Sequence, residues 1–182
     1  IGNDIGMHII TNGNIFIYDS AMFTYENNQL SSYIKDNINV SYEYNASGIR
    51  TKKIVNGTTY EYVVIGNKIL QQNIYSSNNV LEYSLRFMYD ENDNVLRFEL
   101  ILNDGTIHKT IYYVKNLQND IIKLIDDEGN IVGEYIYDVY GNVININELS
   151  IFAYENPFRY KSYFHDQETN LYYCNTRYYS PE

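Results

Sequence analysis

The residues best suited to chemistry in this chain lie near its C-terminus. Asp166 and Glu168 flank a polar turn, and paired carboxylates could share acid–base work. No third partner is suggested beside them, and turn carboxylates of this kind usually serve the backbone. His8, His108 and His165 are scattered without metal-ligand spacing. Cys174 is the single cysteine, so neither a disulfide nor a cysteine zinc site can be built. With no basic neighbour in sequence, it reads as a buried, inert thiol in a strand. The acidic turns Asp90–Asn94 and Asp126–Asn130 offer hard oxygen ligands of the type calcium takes, but neither has the twelve-residue loop with its terminal Glu. No catalytic residue, cofactor or metal is therefore expected. Arg159 and Arg177 remain. Each sits among aromatics and, if buried, needs a carboxylate or carbonyl partner and a tyrosine face to stack on. They are expected to pin the tail structurally, so that Arg159→Ala destabilises the protein and Arg50→Ala does not.

The elements that must position these residues are strands. The chain holds 22 Tyr, 25 Asn and 24 Ile but only two Pro and no Trp. Tyr and Ile favour strands, and Asn and Gly favour tight turns. Turn signals recur: Asn12-Gly13-Asn14, Asn27-Asn28, Asn56-Gly57, Asn103-Asp104-Gly105 and others, each between short alternating runs. The cleanest unit is Tyr135-Ile136-Tyr137-Asp138-Val139-Tyr140-Gly141-Asn142. Tyr89, Tyr113 and Tyr137 lie 24 residues apart, and Tyr25, Tyr44 and Tyr62 lie 19 and 18 apart. That period is one hairpin, a unit that cannot bury its apolar face alone and must stack on its neighbours. In each unit the Asp accepts backbone N–H groups in an Asx turn and Gly supplies positive φ. Neighbouring units would align tyrosines in cross-strand ladders. The expected fold is all-β, a curved or spiral antiparallel sheet of hairpins. One competing signal exists: Leu117, Ile121, Leu124 and Ile125 have helical spacing.

Composition also excludes classes. The net charge is −10, with twelve acidic against four basic residues between Met88 and Leu149. Such a chain is a poor partner for nucleic acid or anionic lipid. No apolar run approaches the roughly 20 residues of a membrane span. The chain opens at Ile1 without an initiator Met and reads as a piece of a longer protein.

The tail is the most specific stretch: Asn156-Pro157-Phe158-Arg159-Tyr160, then Leu171-Tyr172-Tyr173, then Arg177-Tyr178-Tyr179-Ser180-Pro181. With the repeat at Tyr135, Tyr137, Asp138, Gly141 and Asn142, it resembles the Rhs/YD-repeat family over about residues 15–182. The resemblance implies YD repeats over 1–150 and the N-terminal part of an Rhs repeat-associated core domain over 151–182. It implies a non-enzymatic scaffold, part of a hollow shell that encloses a C-terminal toxin, on a secreted or cell-surface bacterial protein used in contact-dependent competition. Its partners would be the rest of the shell and the toxin. In the family a Gly-Arg-Phe segment and an aspartate-glycine cleavage motif follow further on, where an aspartyl protease activity frees the toxin. Asn170 and Ser180 stand where the family has Gly and Asp. Two alternatives accompany this reading: a tyrosine-lined surface that stacks on surface glycans as an adhesion module, and an open sheet that self-associates edge to edge.

Overall fold

The computed structural model describes residues 8–10, 15–147, 150–175 and 177–181. The Asn12-Gly13-Asn14 turn lies outside them. Fourteen strands follow one another: β1 His8–Ile10, β2 Ile15–Tyr18, β3 Ala21–Glu26, β4 Gln29–Lys35, β5 Ile38–Tyr44, β6 Arg50–Val55, β7 Thr58–Ile65, β8 Lys68–Tyr75, β9 Leu81–Tyr89, β10 Val95–Leu102, β11 Ile107–Lys115, β12 Ile121–Asp126, β13 Ile131–Tyr137 and β14 Val143–Asn147. Each pairs antiparallel with its neighbours in chain order, so the sheet is a continuous meander of hairpins. The tail follows with a short helix α1 (Ile151–Glu155), a 3-10 turn at Tyr160–Ser162, and a second sheet of β15 Phe164–Asp166, β16 Leu171–Tyr173 and β17 Tyr178–Tyr179.

The repeat maps onto this meander one hairpin at a time. Tyr25, Tyr44, Tyr62, Tyr89, Tyr113 and Tyr137 fall on β3, β5, β7, β9, β11 and β13, every second strand. Three of them make the same bond. The Tyr44, Tyr89 and Tyr137 hydroxyls donate to the carbonyls of Leu30, Ile69 and Ile121 at 2.7–2.8 Å, each at the start of the preceding strand. A half-buried phenol thus finds an acceptor while its ring packs on the apolar inner face.

Two turn designs close the hairpins. Two-residue turns have positive φ at both centres, as at Asn27-Asn28 (51° and 63°) and Asn56-Gly57 (48° and 96°), matching the strand twist. The longer turns begin with Asp or Asn. Asp90, Asp126 and Asp138 each accept the backbone N–H groups two and four residues on, at 2.8–3.0 Å. Those bonds favour the ionised carboxylates, whose pKa values lie below the ordinary range; at Asp126 burial opposes the shift, and the turn bonds together with Lys109 outweigh it. Other acids of these turns pair with lysines on neighbouring strands: Asp93 with Lys68, and Asp127 and Glu128 with Lys109.

The helical spacing around Leu117 does not produce a helix. Asn116–Asp120 is such an Asx turn, closed by Asn116 Oδ1 on the N–H groups of Gln118 and Asp120, and Ile121 begins β12. The Asn at the head of the segment offers the backbone a local acceptor that competes with helix bonds.

The sheet curls around the tail. Tyr173 Oη accepts the Arg50 N–H on β6 at 2.9 Å, and Tyr172 Oη donates to the Gly141 carbonyl after β13 at 2.8 Å. Along a flat sheet those points would be roughly 34 Å apart, seven spacings of ~4.8 Å. Two adjacent residues bridge them with side chains alone, so the sheet must bend round the small sheet. Every residue of β15 and β16 is buried, as expected of strands covered on both faces.

The cross-strand ladders are shorter than the repeat suggests. Rungs form at Phe16–Phe23–Tyr33 (5.9 and 5.1 Å between centroids) and at Phe98–Tyr113. Most other pairs run from sheet to tail. Phe158 alone meets Phe87, Tyr89, Tyr113 and Phe164. Curvature turns the inner-face rings toward the tail, where a third layer of aromatics fills the space.

The turn Asp138–Asn142 doubles as a seat for the tail. A Cβ on Gly141 would lie 2.5–2.9 Å from the Tyr160 ring, and its φ is +99°. At Gly105 (φ +86°) a Cβ meets nothing. Gly105→Ala should cost about 1 kcal/mol from the dihedral alone. Gly141→Ala should cost at least about twice that, because the ring must also move. Urea unfolding of the two variants checks the difference; equal losses would refute the seating of Tyr160 on Gly141.

Candidate functional site: a buried charge cluster between sheet and tail

At the centre of the curl lies a cluster of four charges from two elements. β6 supplies Arg50 and Lys53; β15 and the turn after it supply Asp166 and Glu168. Arg50 and Lys53 are three residues apart, which in a regular strand would place them on opposite faces. A β-bulge reverses this. Tyr44 pairs with Arg50 and Glu43 with Lys52, so Thr51 is the extra residue and the alternation shifts by one. Both cations then reach the inner face.

Arg50 is fully buried, and its Nη1 donates to Asp166 Oδ2 at 2.5 Å. Lys53 Nζ donates to Asp166 Oδ1 at 3.2 Å and to Glu168 Oε2 at 2.9 Å. The Arg50 guanidinium lies over Tyr173 (4.4 Å), Tyr62 (4.9 Å) and Phe164 (5.1 Å), and its Nη1 also reaches the Tyr178 hydroxyl. Its Nε and Nη2 have no hydrogen-bond partner and rest against those ring faces, where the quadrupole stands in for an acceptor. Burial works against the Asp166 carboxylate, but Arg50 and Lys53 outweigh it and its pKa falls below the usual range. Burial likewise opposes both cations, and Asp166 holds them charged. The sign is set by the match of charges within one dry site.

The tail motif surrounds this cluster. Asn156 is fully buried, and its four bonds close its inventory. Oδ1 accepts from the Tyr113 hydroxyl and the Phe158 N–H; Nδ2 donates to Tyr135 Oη and the Phe158 carbonyl. Pro157 is buried, and its carbonyl accepts the His165 N–H at 2.7 Å. Arg159 is 2 % exposed; it donates to the Tyr154 carbonyl at 3.4 Å and lies 5.3 Å over Tyr135, while its own carbonyl accepts the Ile121 N–H. Tyr160 donates to the Val139 carbonyl and Tyr179 to that of Tyr140. Leu171 joins Ala21, Leu30, Tyr33, Val40 and Tyr42 in a second apolar cluster. Tyr178 bonds the Tyr44 hydroxyl, and buried Pro181 receives the Asn142 amide on its carbonyl. Asn170, in place of the family's Gly, takes φ +55°. Cys174 is half-buried between β16 and β17 rather than in a strand; burial, only partly offset by Arg177, pushes its thiol pKa up, away from the reactive thiolate.

No family model matches the chain. Curated relatives do. The chain is 30 % identical over 141 residues to the tRNA3(Ser)-specific nuclease WapA of Bacillus spizizenii, covering 78 % of this chain and 6 % of the relative. It is 32 % identical over 147 residues to the tRNA nuclease WapA of Bacillus subtilis, with the same coverage. The chain thus spans a small part of the length of those relatives. Among solved structures, TcdB2-TccC3 superposes with a TM-score of 0.73 at 20 % identity, over 90 % of this chain and 9 % of that one. The Photorhabdus luminescens Tc holotoxin pore gives 0.73 at 18 % identity, over 91 % and 8 %. At such identity the structures share the fold. Together these likenesses support an Rhs/YD-repeat family for the chain. Among the described residues, no helix is long and apolar enough to cross a membrane.

Within this fold, the arginine expectation needs correcting. Arg50, expected to be dispensable, is the most deeply buried cation, whereas Arg177, expected to pin the tail, is exposed. Arg159 is buried with one carbonyl and one ring partner, and its Nε has no hydrogen-bond partner among the described residues. The local sequence around Arg50 is an ordinary polar strand start, and only its distant partner Asp166 identifies it. Asp166 and Glu168 do have third and fourth partners, and they are cations from 113–116 residues away.

Removing one partner leaves a buried charge uncompensated. Arg50→Met or Asp166→Leu should each cost about 3–5 kcal/mol, and the double variant should recover part of the summed loss. Arg177→Ala should stay within about 0.5 kcal/mol. Denaturant titration of the cycle measures the coupling; additive losses would show that the pair is not a unit.

Acid should loosen the same region. His165 is 6 % exposed, its Nε2 meets Asn170 Oδ1 at 3.1 Å, and its Nδ1 has no partner. Burial and the Arg159 charge hold its pKa down at about 4, with Lys53 acting the same way and Asp166 and Asn170 opposing. The unfolded chain takes up that proton near pH 6.5. The stability is therefore complete above about pH 6.5 and is lost as pH falls through 4, by up to about 3 kcal/mol. His165→Gln should flatten this part of the stability–pH curve; an unchanged slope would assign it to other groups.

Proposed function

We propose that this chain is a non-catalytic scaffold, one stretch of an Rhs/YD-repeat shell that encloses a C-terminal toxin and delivers it in contact-dependent competition. The observation that carries this reading is the dry, charge-matched joint between curled sheet and tail. Of the carboxylates best placed for acid–base work, Asp166 is fully buried between Arg50 and Lys53, and Glu168, which borders a small cavity of about 70 Å³, is paired with Lys53. A catalytic carboxylate needs access to a proton in a substrate pose; here the geometry serves rigidity. Of the 22 tyrosines only Tyr112, Tyr140 and Tyr154 are exposed, so most of the aromatic surface goes into packing.

The relatives fit the delivery part of the proposal. Those in Bacillus are named as nucleases, and one neighbouring structure is described as TcdB2-TccC3 without its hypervariable C-terminal region. In this reading the chain belongs to a much longer secreted or cell-surface protein. Its partners are the rest of the shell and the domain that follows. Aspartyl self-cleavage is assigned to the downstream segment implied by the family resemblance, not to this chain.

The test uses the full-length protein that contains this chain. Under limited proteolysis, a C-terminal domain enclosed by the shell should resist cleavage far longer than the same domain expressed alone. Introducing Arg50→Met should shorten that protection. Equal cleavage of enclosed and free domains would overturn the reading.

A further inference from the structure

We propose that the two cavities flanking Arg177 form a binding site for a saccharide that carries a carboxylate. The cavities lie between the tail and the turns of the sheet. The larger, about 320 Å³, has Tyr89, Phe158 and Tyr173 in its walls and Asn67 and Asn175 among its polar groups. The smaller, about 210 Å³, is walled by Tyr25, Tyr44 and Tyr178, with Asn28 and Gln29 beside them. Asn175 and Arg177 belong to both.

The chemistry of the site differs from the rest of the surface. Arg50, Arg86 and Arg97 hold carboxylates, and Arg159 holds a carbonyl and a ring. Arg177 is exposed and, among the described residues, its guanidinium has neither a hydrogen bond nor an ion pair. In a chain of net charge −10, most cations are paired with acids, and among the described residues Arg177 is not. An unspent planar fork of donors matches a carboxylate bidentately. The carboxamides carry a donor and an acceptor each, the pattern that adjacent sugar hydroxyls satisfy. The half-buried rings of Tyr25, Tyr44, Tyr89 and Tyr178 offer dispersion contact to the C–H face of a sugar, while Phe158 and Tyr173 are buried behind them; apolar walls with a few polar groups are the usual make-up of a small-ligand site.

An acidic peptide fits less well. It would need several cations in a row, but the other cation at the larger cavity, Lys68, is paired with Asp93. The remaining surface charge would repel a polyanion. This inference stands apart from the shell reading, since it needs no enclosed domain, although two of the walls, Tyr173 and Tyr178, also face Arg50.

The experiment is an NMR titration of the chain with a disaccharide of glucuronic acid and N-acetylglucosamine, alongside the neutral disaccharide with glucose in place of glucuronate and a tetraglutamate peptide. Saturable shifts confined to the rim with the acidic sugar, weakened about tenfold or more by Arg177→Gln with the melting temperature unchanged, would support the site. Arg97→Gln should leave the affinity as it was. The proposal is overturned if the acidic sugar gives no saturable shifts, if the neutral sugar or the peptide binds as tightly, or if Arg177→Gln binds like the parent.

Discussion

The rest of the structure depends on one buried carboxylate. Asp166 sits between Arg50 and Lys53 inside the curl, with no exposed surface of its own. It joins the sixth of the sheet's fourteen strands to the tail, across more than 110 residues of chain. Burying three or four charges in one place is costly unless each has its counter-charge and the geometry is good. That cost makes the joint selective. A tail docked one residue out of register would leave Arg50 uncompensated in an aromatic cage, so the charges specify a single docking position even where the apolar contacts would tolerate several.

Around that joint, the curl and the tail explain each other. A meander of hairpins has one apolar face and no partner sheet to cover it. The tail supplies the cover, with Phe158 and Phe164 among the inner-face rings and Tyr172 and Tyr173 bridging strands that lie far apart along the sheet. The Asx turns matter for the same reason. Each keeps a hairpin's backbone satisfied without help from elsewhere, which leaves the inner face free to be shaped by packing. At Asp138–Asn142 the turn serves both ends: Gly141 satisfies the turn's positive φ and leaves room for the Tyr160 ring.

Much of the fold was legible because its signals are local. Asn-Gly and Asp-containing turns follow from φ preferences and Asx bonding, and the 24-residue spacing of Tyr89, Tyr113 and Tyr137 is one hairpin per repeat. The tail was legible as a distinctive motif and as structural. Its partners were not. Arg50 looked expendable and Arg177 looked essential, because neighbours in sequence were the only guide to burial. The bulge at Thr51, which turns Arg50 and Lys53 to one face, has no sequence signature of its own. The helical spacing at Leu117–Ile125 misled for a related reason: periodicity carries no information about an Asn that can close a turn.

The sequence by itself determined the strands, the turns and their order, since each depends on a few adjacent residues and on the stereochemistry of the backbone. Only the tertiary structure decided how far the sheet bends, which rings meet the tail, and which charges are buried. Those outcomes rest on contacts between residues from about thirty to more than a hundred positions apart, whose energy comes from shared desolvation and complementary charge. Neither quantity exists until the chain has folded around its own tail.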